Sequence, residues 1–176
     1  KMCEMSAEVA DGILVMPFNS ERHFAERTMP ALERGFAKSG RDRKDFEIIL
    51  EVICAVGQTD EEIAAAANGV KTLLGFYGST PSYKPVLDVE GWGELQPELN
   101  ALSKQGDWAG MAKKIDEDVL RTIAVVGTPK EVAAEIVRRF GHEADRVCLY
   151  FPGYPITDEC IAETIREIKV ASGEVG

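Results

Sequence analysis

Few residues of this chain are of the types that carry catalysis outright, and none stands in a catalytic pattern. Two histidines, His23 and His142, and four cysteines, Cys3, Cys54, Cys148 and Cys160, are spread along 176 residues. No CxxC pair occurs, and two distant histidines do not make a zinc pattern, so no metal site is expected. There is no GxGxxG, GxSxG or HExxH motif either. What remains is a set of aromatic and polar residues where apolar runs end. Met16-Pro17-Phe18-Asn19-Ser20 leaves the first run, and Tyr150, Phe151 and Tyr154 leave the last. Asn19 and Ser20 read first as helix caps and second as polar ligand contacts. Tyr150, Phe151 and Tyr154 suit either an apolar substrate wall or plain packing. His23, at a helix start, reads as a surface or packing residue.

These residues need elements to position them. Met2 to Ala10 reads as a helix, and Asp11-Gly12 turns the chain. Ile13 to Met16 is a continuous apolar run, expected of a parallel strand covered on both faces, and the strand is drawn to Phe18. A long helix from Ser20 to Ser39 follows, with a kink or break at Pro30 and a stop at Gly40. Phe46–Val56 is the second strand. Phe46, Ile48 and Leu50 share one face, and Glu47 and Glu51 mark the other as partly open. Thr59-Asp60-Glu61-Glu62 is a capping box for a helix from Asp60 to about Leu74. Residues 75–115 break the pattern as a helical insertion, with short helices near Leu95–Lys104 and Trp108–Ile115. Asp116–Val126 reads as helix on the spacing of Val119, Ile123 and Val126. Thr128-Pro129-Lys130-Glu131 caps the next helix, Pro129–Phe140. Arg146–Phe151 is the third strand, and Thr157 caps the last helix. Cys54 and Cys148 fall inside strands as small buried hydrophobes. Three strands separated by helices imply parallel pairing, with ligands beyond the strands' carboxyl ends.

Composition narrows the classes of partner. The formal net charge is -10 and hydrophobic residues make up 45%. Acidity of this size argues against a nucleic-acid backbone or an anionic membrane surface, both of which need a basic face. No apolar run reaches the length of a membrane span, and no secretory hydrophobic region is present. Unpaired cysteine usage points to a reducing, cytoplasmic setting. The sequence begins at Lys1 rather than an initiator Met, which leads us to expect further residues upstream.

Several motifs, in order, give a family resemblance. Ser6-Ala7-Glu8-Val9-Ala10-Asp11-Gly12 is followed by Met16-Pro17-Phe18 and Pro30-Ala31-Leu32-Glu33-Arg34-Gly35. Later come Gly75-Phe76-Tyr77-Gly78-Ser79-Thr80-Pro81-Ser82-Tyr83, Gly91-Trp92, and Val126-Gly127-Thr128-Pro129-Lys130-Glu131-Val132-Ala133. Over nearly its full length the chain resembles the luciferase-like flavin and deazaflavin (coenzyme F-420) oxidoreductases. The family fold is a (β/α)8 TIM barrel of about 250 residues or more. The fold class expected is therefore α/β: the C-terminal portion of such a barrel, with about three parallel strands and flanking helices, forming a single partial domain over 1–176.

The resemblance carries functional expectations. The intact relative would bind coenzyme F-420 or FMN and pass a hydride between it and a small organic substrate, or activate oxygen as a monooxygenase. In the family the loop entering the first helix offers backbone amides to the cofactor phosphate, which points here to Lys1 and Met2. The insertion lies over the barrel mouth, so Tyr77 and Ser79 join Met16, Phe18, Asn19, Ser20, Tyr150 and Phe151 as candidate pocket or lid residues. Met16 stands where relatives often carry a His, so it can pack there but not exchange protons. The partners implied are a small-molecule substrate and either a second copy or the absent N-terminal barrel half, since an isolated three-stranded sheet has two open edges. The alternative expectation is a catalytically inactive assembly or dimerisation unit built on the same fold.

Overall fold

A computed structural model describes residues 1–174. The chain alternates helices with short parallel strands. Helix α1 (Met2–Val9) leads into strand β1 (Gly12–Val15). A short turn of helix, α2 (Glu21–His23), runs on through a π-helical turn at Phe24–Thr28 into α3 (Met29–Ser39). The sequence predicts a break at Pro30, and the wider turn supplies it. The Met29 N–H reaches back to the Phe24 carbonyl, so the ladder is reset just before the residue that lacks a donor. Strand β2 (Glu47–Val56) is followed by α4 (Asp60–Gly78), entered through the expected Thr59/Glu62 capping box. Helices α5 (Lys84–Val89), α6 (Leu95–Gln105), α7 (Trp108–Lys114) and α8 (Glu117–Ile123) come next. Strand β3 (Val125–Gly127), α9 (Pro129–Phe140), β4 (Arg146–Tyr150) and α10 (Asp158–Ser172) complete the order.

All strand pairing runs through β2, and all of it is parallel. β1 pairs with its first half (Gly12 opposite Glu47, Val15 opposite Leu50). β3 pairs with its last three residues (Cys54 opposite Val125, Val56 opposite Gly127). β4 spans the middle (Ile49 opposite Arg146, Ile53 opposite Tyr150). Backbone groups of alternate residues point to opposite edges. The Glu47 and Gly57 amides donate to Asp11 and Gly127, on the edge shared end to end by β1 and β3. The Ile48 carbonyl accepts from the Asp145 amide on the other edge. Beyond the end of β4 that second edge has no strand among the described residues. There the Tyr154 hydroxyl accepts from the Val56 N–H at 3.0 Å and donates to the Cys54 carbonyl at 2.9 Å, serving both groups a strand would have served.

Side chains alternate across the sheet, so two cores form. On one face Ile48, Leu50, Val52, Cys54 and Val56 meet Leu32 of α3, Val132, Ile136 and Phe140 of α9, and Cys160 of α10. On the other, Ile53 and Ala55 meet Ala66, Val70 and Leu74 of α4 together with Leu99, Met111 and Leu120 from α6 to α8. The helices of the insertion thus cover only the carboxyl-end half of this second face. Gly69 permits the close fit of α4 against the β4 exit loop: a Cβ there would sit 2.4 Å from the Gly153 carbonyl oxygen.

Four expectations need correction. There are four strands, not three: Val125–Gly127 is extended rather than the end of a helix, because α8 stops at Ile123 and the β-branched Val125-Val126 pair finds a free edge of β2. The helix after β2 runs to Gly78, carrying Gly75 and Gly78 inside it. β1 is covered on one face only, and Leu14 on the other is 63% exposed. Cys148, on that same uncovered face, is exposed rather than buried, because β4 alternates and no helix reaches this end of the sheet.

Candidate functional site

The carboxyl ends of the strands gather one compact group from four separated stretches. Registers place it. Extending the pairing by one residue sets Met16 beside Glu51, which lies opposite Cys148. One layer further along the strands, Ile53 lies opposite Tyr150. Helix α4 brings Tyr77 over these layers, and the 3-10 turn Pro81–Tyr83 adds Tyr83. Phe18, which is buried, holds the rings together. Its centroid lies 6.0 Å from those of both Tyr77 and Tyr83, and these two meet edge to face at 5.9 Å. Such offset contacts fix ring orientation beyond simple burial. The Tyr83 hydroxyl points at the Met16 sulfur, 3.8 Å away. Met16, Glu51, Tyr77, Tyr83 and Tyr150 are each half-buried; Met16 and the three tyrosines pack at the margin of the core that α4 to α8 cover.

The electrostatics of the wall follow from this placement. Burial is the main cause that raises the Tyr77 phenol above its usual value, with the neighbouring Tyr150 hydroxyl, the Glu51 carboxylate and Tyr83 adding to it. Tyr77 is therefore a neutral donor at physiological pH. The wall can offer phenol donors, one carboxylate acceptor and apolar ring surface to a ligand.

The other sequence-predicted positions fall elsewhere. Ser20 caps α2: its hydroxyl accepts from the His23 N–H at 3.0 Å and donates to Glu90 at 2.5 Å, tying the insertion to this turn. Asn19 Oδ1 lies 2.7 Å from His23 Nδ1. Burial and the nearby Arg27 lower the His23 pKa, so the ring packs as a neutral group. Ser79 is buried under α6. Its hydroxyl donates to the Phe76 carbonyl, and its own carbonyl accepts from Gln96 and Asn100, each at 3.0 Å. Phe151 lies one residue past Tyr150 and so on the opposite face, in the core beneath α3, α9 and α10. Lys1 and Met2 are exposed at the start of α1, where Lys1 gives no side-chain cap. Tyr154 belongs to the sheet edge, and burial raises its phenol well above the usual range. Cys54 is fully buried and its thiol is pushed up to about 12 by burial, so it is a packing residue.

Glu51 is the wall residue the sequence reading left without a role. The signal was present: a carboxylate at an alternate position of an otherwise apolar strand. Among the described residues no helix is long and apolar enough to cross a membrane.

Comparison with known proteins agrees with this architecture. The luciferase-like monooxygenase family matches residues 1–145, and the chain belongs to that family. An uncharacterized protein of Mycobacterium tuberculosis is 44% identical over 168 residues, which are 96% of this chain and 49% of that protein. The 5,10-methylenetetrahydromethanopterin reductase of Archaeoglobus fulgidus is 27% identical over 143 residues, 77% of this chain and 41% of the reductase. The structure of the coenzyme F420 dependent tetrahydromethanopterin reductase from Methanopyrus kandleri superposes with a TM-score of 0.71 at 20% identity, covering 96% of this chain and 46% of that one. The chain thus spans about half the length of the relatives it matches. The α/β fold with parallel strands is that of part of a luciferase-like barrel.

Proposed function

We propose that this chain is the C-terminal part of a luciferase-like oxidoreductase whose complete barrel binds a deazaflavin, or a flavin, and a small organic substrate. The observation that carries the reading is the wall of Met16, Phe18, Tyr77, Tyr83, Tyr150 and Glu51. It stands at the carboxyl ends of parallel strands, where barrel enzymes bind their ligands, and it is half open. The coenzyme F420 dependent reductase among the similar structures favours the deazaflavin. When bound, such a cofactor supplies hydride transfer, or oxygen activation if it is a true flavin. This chain's share is to orient and to exclude water: Phe18, Tyr77 and Tyr83 shield, while Tyr77 and Tyr150 donate hydrogen bonds. The residues fit a phosphate-bearing cofactor at one further point. The first amides of α1 receive no side-chain cap from Lys1, leaving donors at Met2 and Cys3 for an anion.

Absorbance titration of oxidised coenzyme F-420 and of FMN tests the reading. It should be run on this chain and on a polypeptide extended upstream in its reading frame. The extended protein is expected to bind the deazaflavin with a spectral shift, and failure to bind either cofactor would overturn the proposal.

A second reading, a non-catalytic assembly unit, is favoured by a different observation. Met2, Met5 and Val9 of α1, Leu14 of β1, and Ile165 and Val170 of α10 are exposed apolar side chains, and the outer edges of β1 and β4 lack strand partners among the described residues. Either a second copy or the remaining barrel strands would cover them. Light scattering over a range of concentrations decides it: a monodisperse, stably folded monomer rules this reading out.

A further inference from the structure

Strand β2 carries two backbone groups that its neighbours do not serve. On the edge it shares with β1 and β3, the odd-numbered residues present both their N–H and their C=O, as the Glu47 and Gly57 amides do. β1 pairs only as far as Val15 opposite Leu50, and β3 begins with Val125 opposite Cys54. The Glu51 carbonyl and the Ile53 N–H fall between them. The next donor from β1 would come from position 17, but Pro17 has no N–H. The next acceptor on the β3 side would be the Ile123 carbonyl, but α8 ends there and the chain is still helical. Neither group has a hydrogen-bond partner among the described residues, and Ile53 is 0% exposed. A buried backbone N–H is rarely left without an acceptor, because it has given up its bond to water.

The other edge of the strand meets the same demand with one oxygen atom. There the Tyr154 hydroxyl accepts from the Val56 N–H and donates to the Cys54 carbonyl. Glu51 and Ile53 present the same pair, a carbonyl and the N–H two residues on. Among the described residues no side chain bonds to this second pair. A cavity of about 10 Å³ adjoins it, lined by Met16, Pro17, Asn19, Glu51, Val52 and Ile123 among others. We infer that this cavity binds one water molecule, which accepts from the Ile53 N–H and donates to the Glu51 carbonyl. The chemistry selects it. One atom must accept and donate at once, which neither an ammonium group, a metal ion nor a halide can do. The volume admits a single oxygen with no carbon body attached, so a substrate hydroxyl does not fit. Asn19 adds a further polar residue to the lining, in keeping with the two to four partners, or about three, that a buried water takes. Such a bridge is nearly as good as a direct hydrogen bond. It ties the exit of β1 to β2 where Pro17 cannot, and so helps hold Met16 in the wall. The site needs neither cofactor nor substrate.

Amide protons read the water directly. The test uses the 176-residue chain, deuterated at carbon and nitrogen-labelled at isoleucine, in water-to-amide NOE and ROE spectra. Ile53 is expected to give a water cross-peak of opposite sign in the two spectra. That pattern marks a water held for longer than the protein takes to tumble, whereas proton exchange gives the same sign in both. Ile49, whose amide lies within the β1 ladder, should give no such peak. Tyr150 lies opposite Ile53 and Tyr77 packs over it, so their phenol protons could relay a signal from solvent. The Ile53 peak should therefore persist in Y150F and in Y77F. Absence of the peak at Ile53, the same sign in both spectra, an equal peak at Ile49, or loss of the peak in either phenylalanine variant would each overturn the proposal.

Discussion

Replacing Tyr154 by Phe isolates one oxygen atom with a defined structural task. The hydroxyl accepts from the Val56 N–H and donates to the Cys54 carbonyl. Both residues are buried, at 2% and 0% exposure, and neither backbone group has a strand on that side. The phenyl ring of Y154F keeps the packing and removes only the bonding. Two hydrogen bonds contribute about 1 kcal/mol each, and a buried backbone group left unserved costs about 1–3 kcal/mol. The expected loss is therefore about 2–4 kcal/mol, since the two estimates overlap. In a chain of this size that is a fall in Tm of roughly 5–15 °C. Urea denaturation gives the energy, and amide hydrogen exchange gives the location, with Val56 losing protection first. pH supplies an independent check. Burial raises the Tyr154 phenol above its ordinary value of 10.0. The neutral form is thus favoured by the fold; its contribution is complete below pH 10 and is lost progressively as pH rises from there through the raised value. Y154F should lack this share of the alkaline destabilisation. A loss under about 0.5 kcal/mol, with Val56 still protected, would refute the assignment of Tyr154 as the strand's substitute.

Other expectations follow from features already described. Arg139, whose side chain is only 10% exposed, pairs with Glu135 and donates to the Arg121 and Thr122 carbonyls at the end of α8. Arg139→Ala should cost about 2–4 kcal/mol in urea denaturation, and Arg139→Lys should not restore it, because one ammonium cannot span the same acceptors. Glu135 is held down to about 2, first by its hydrogen bond to Arg138. Its contribution is present above the ordinary carboxylate range and is lost as pH falls towards 2, so Glu135→Gln should flatten that part of the acid-unfolding curve. Thiol titration should modify Cys148 rapidly in the native chain and Cys54 only on unfolding. A longer polypeptide that completes the barrel should protect Cys148. Gly35→Ala should weaken the α1–α3 contact, since a Cβ would meet the Glu4 carbonyl oxygen at 2.2 Å; the loss reads out as a lower Tm.

The sequence made the helix starts legible because their chemistry is local. Thr59 with Glu62, and Thr128 with Glu131, both form the reciprocal capping boxes their spacing implies, and Thr157 caps α10. The strands were legible in number only where the apolar run was long. Val125-Val126 fits helical spacing as well as extended backbone, and the free edge that decides between them lies on a strand about seventy residues earlier. The family fold was readable from ordered motifs, none of which suffices alone. The site was less so. Alternation separates Tyr150 from its neighbour Phe151, and a shift of one residue changes which face each serves. Ser79 read as a pocket or lid residue in a glycine-rich run, but that run continues a helix and buries it. Glu51 could be seen as an anomaly of its strand, but its place beside Met16 and Cys148 appears only once the neighbouring strands are in register.

The arrangement of the sheet around β2 bears on how the chain comes to fold. Partners of its carboxyl-end half lie far along the chain: Tyr154 is 98 and 100 positions from the residues it serves. During synthesis β2 emerges complete, apolar and with both edges unoccupied. The amino-end half of one edge can dock on β1 at once, but the rest waits for most of the remaining chain to be made. Long-range closure of this kind is slow, and a waiting apolar strand is prone to pair with whatever reaches it first. The capped helix α4, formed from local contacts directly after β2, folds back over Ile53 and Ala55 and shields one face in the interval. Helix α4 would then act as an intramolecular chaperone for the strand that every other strand depends on.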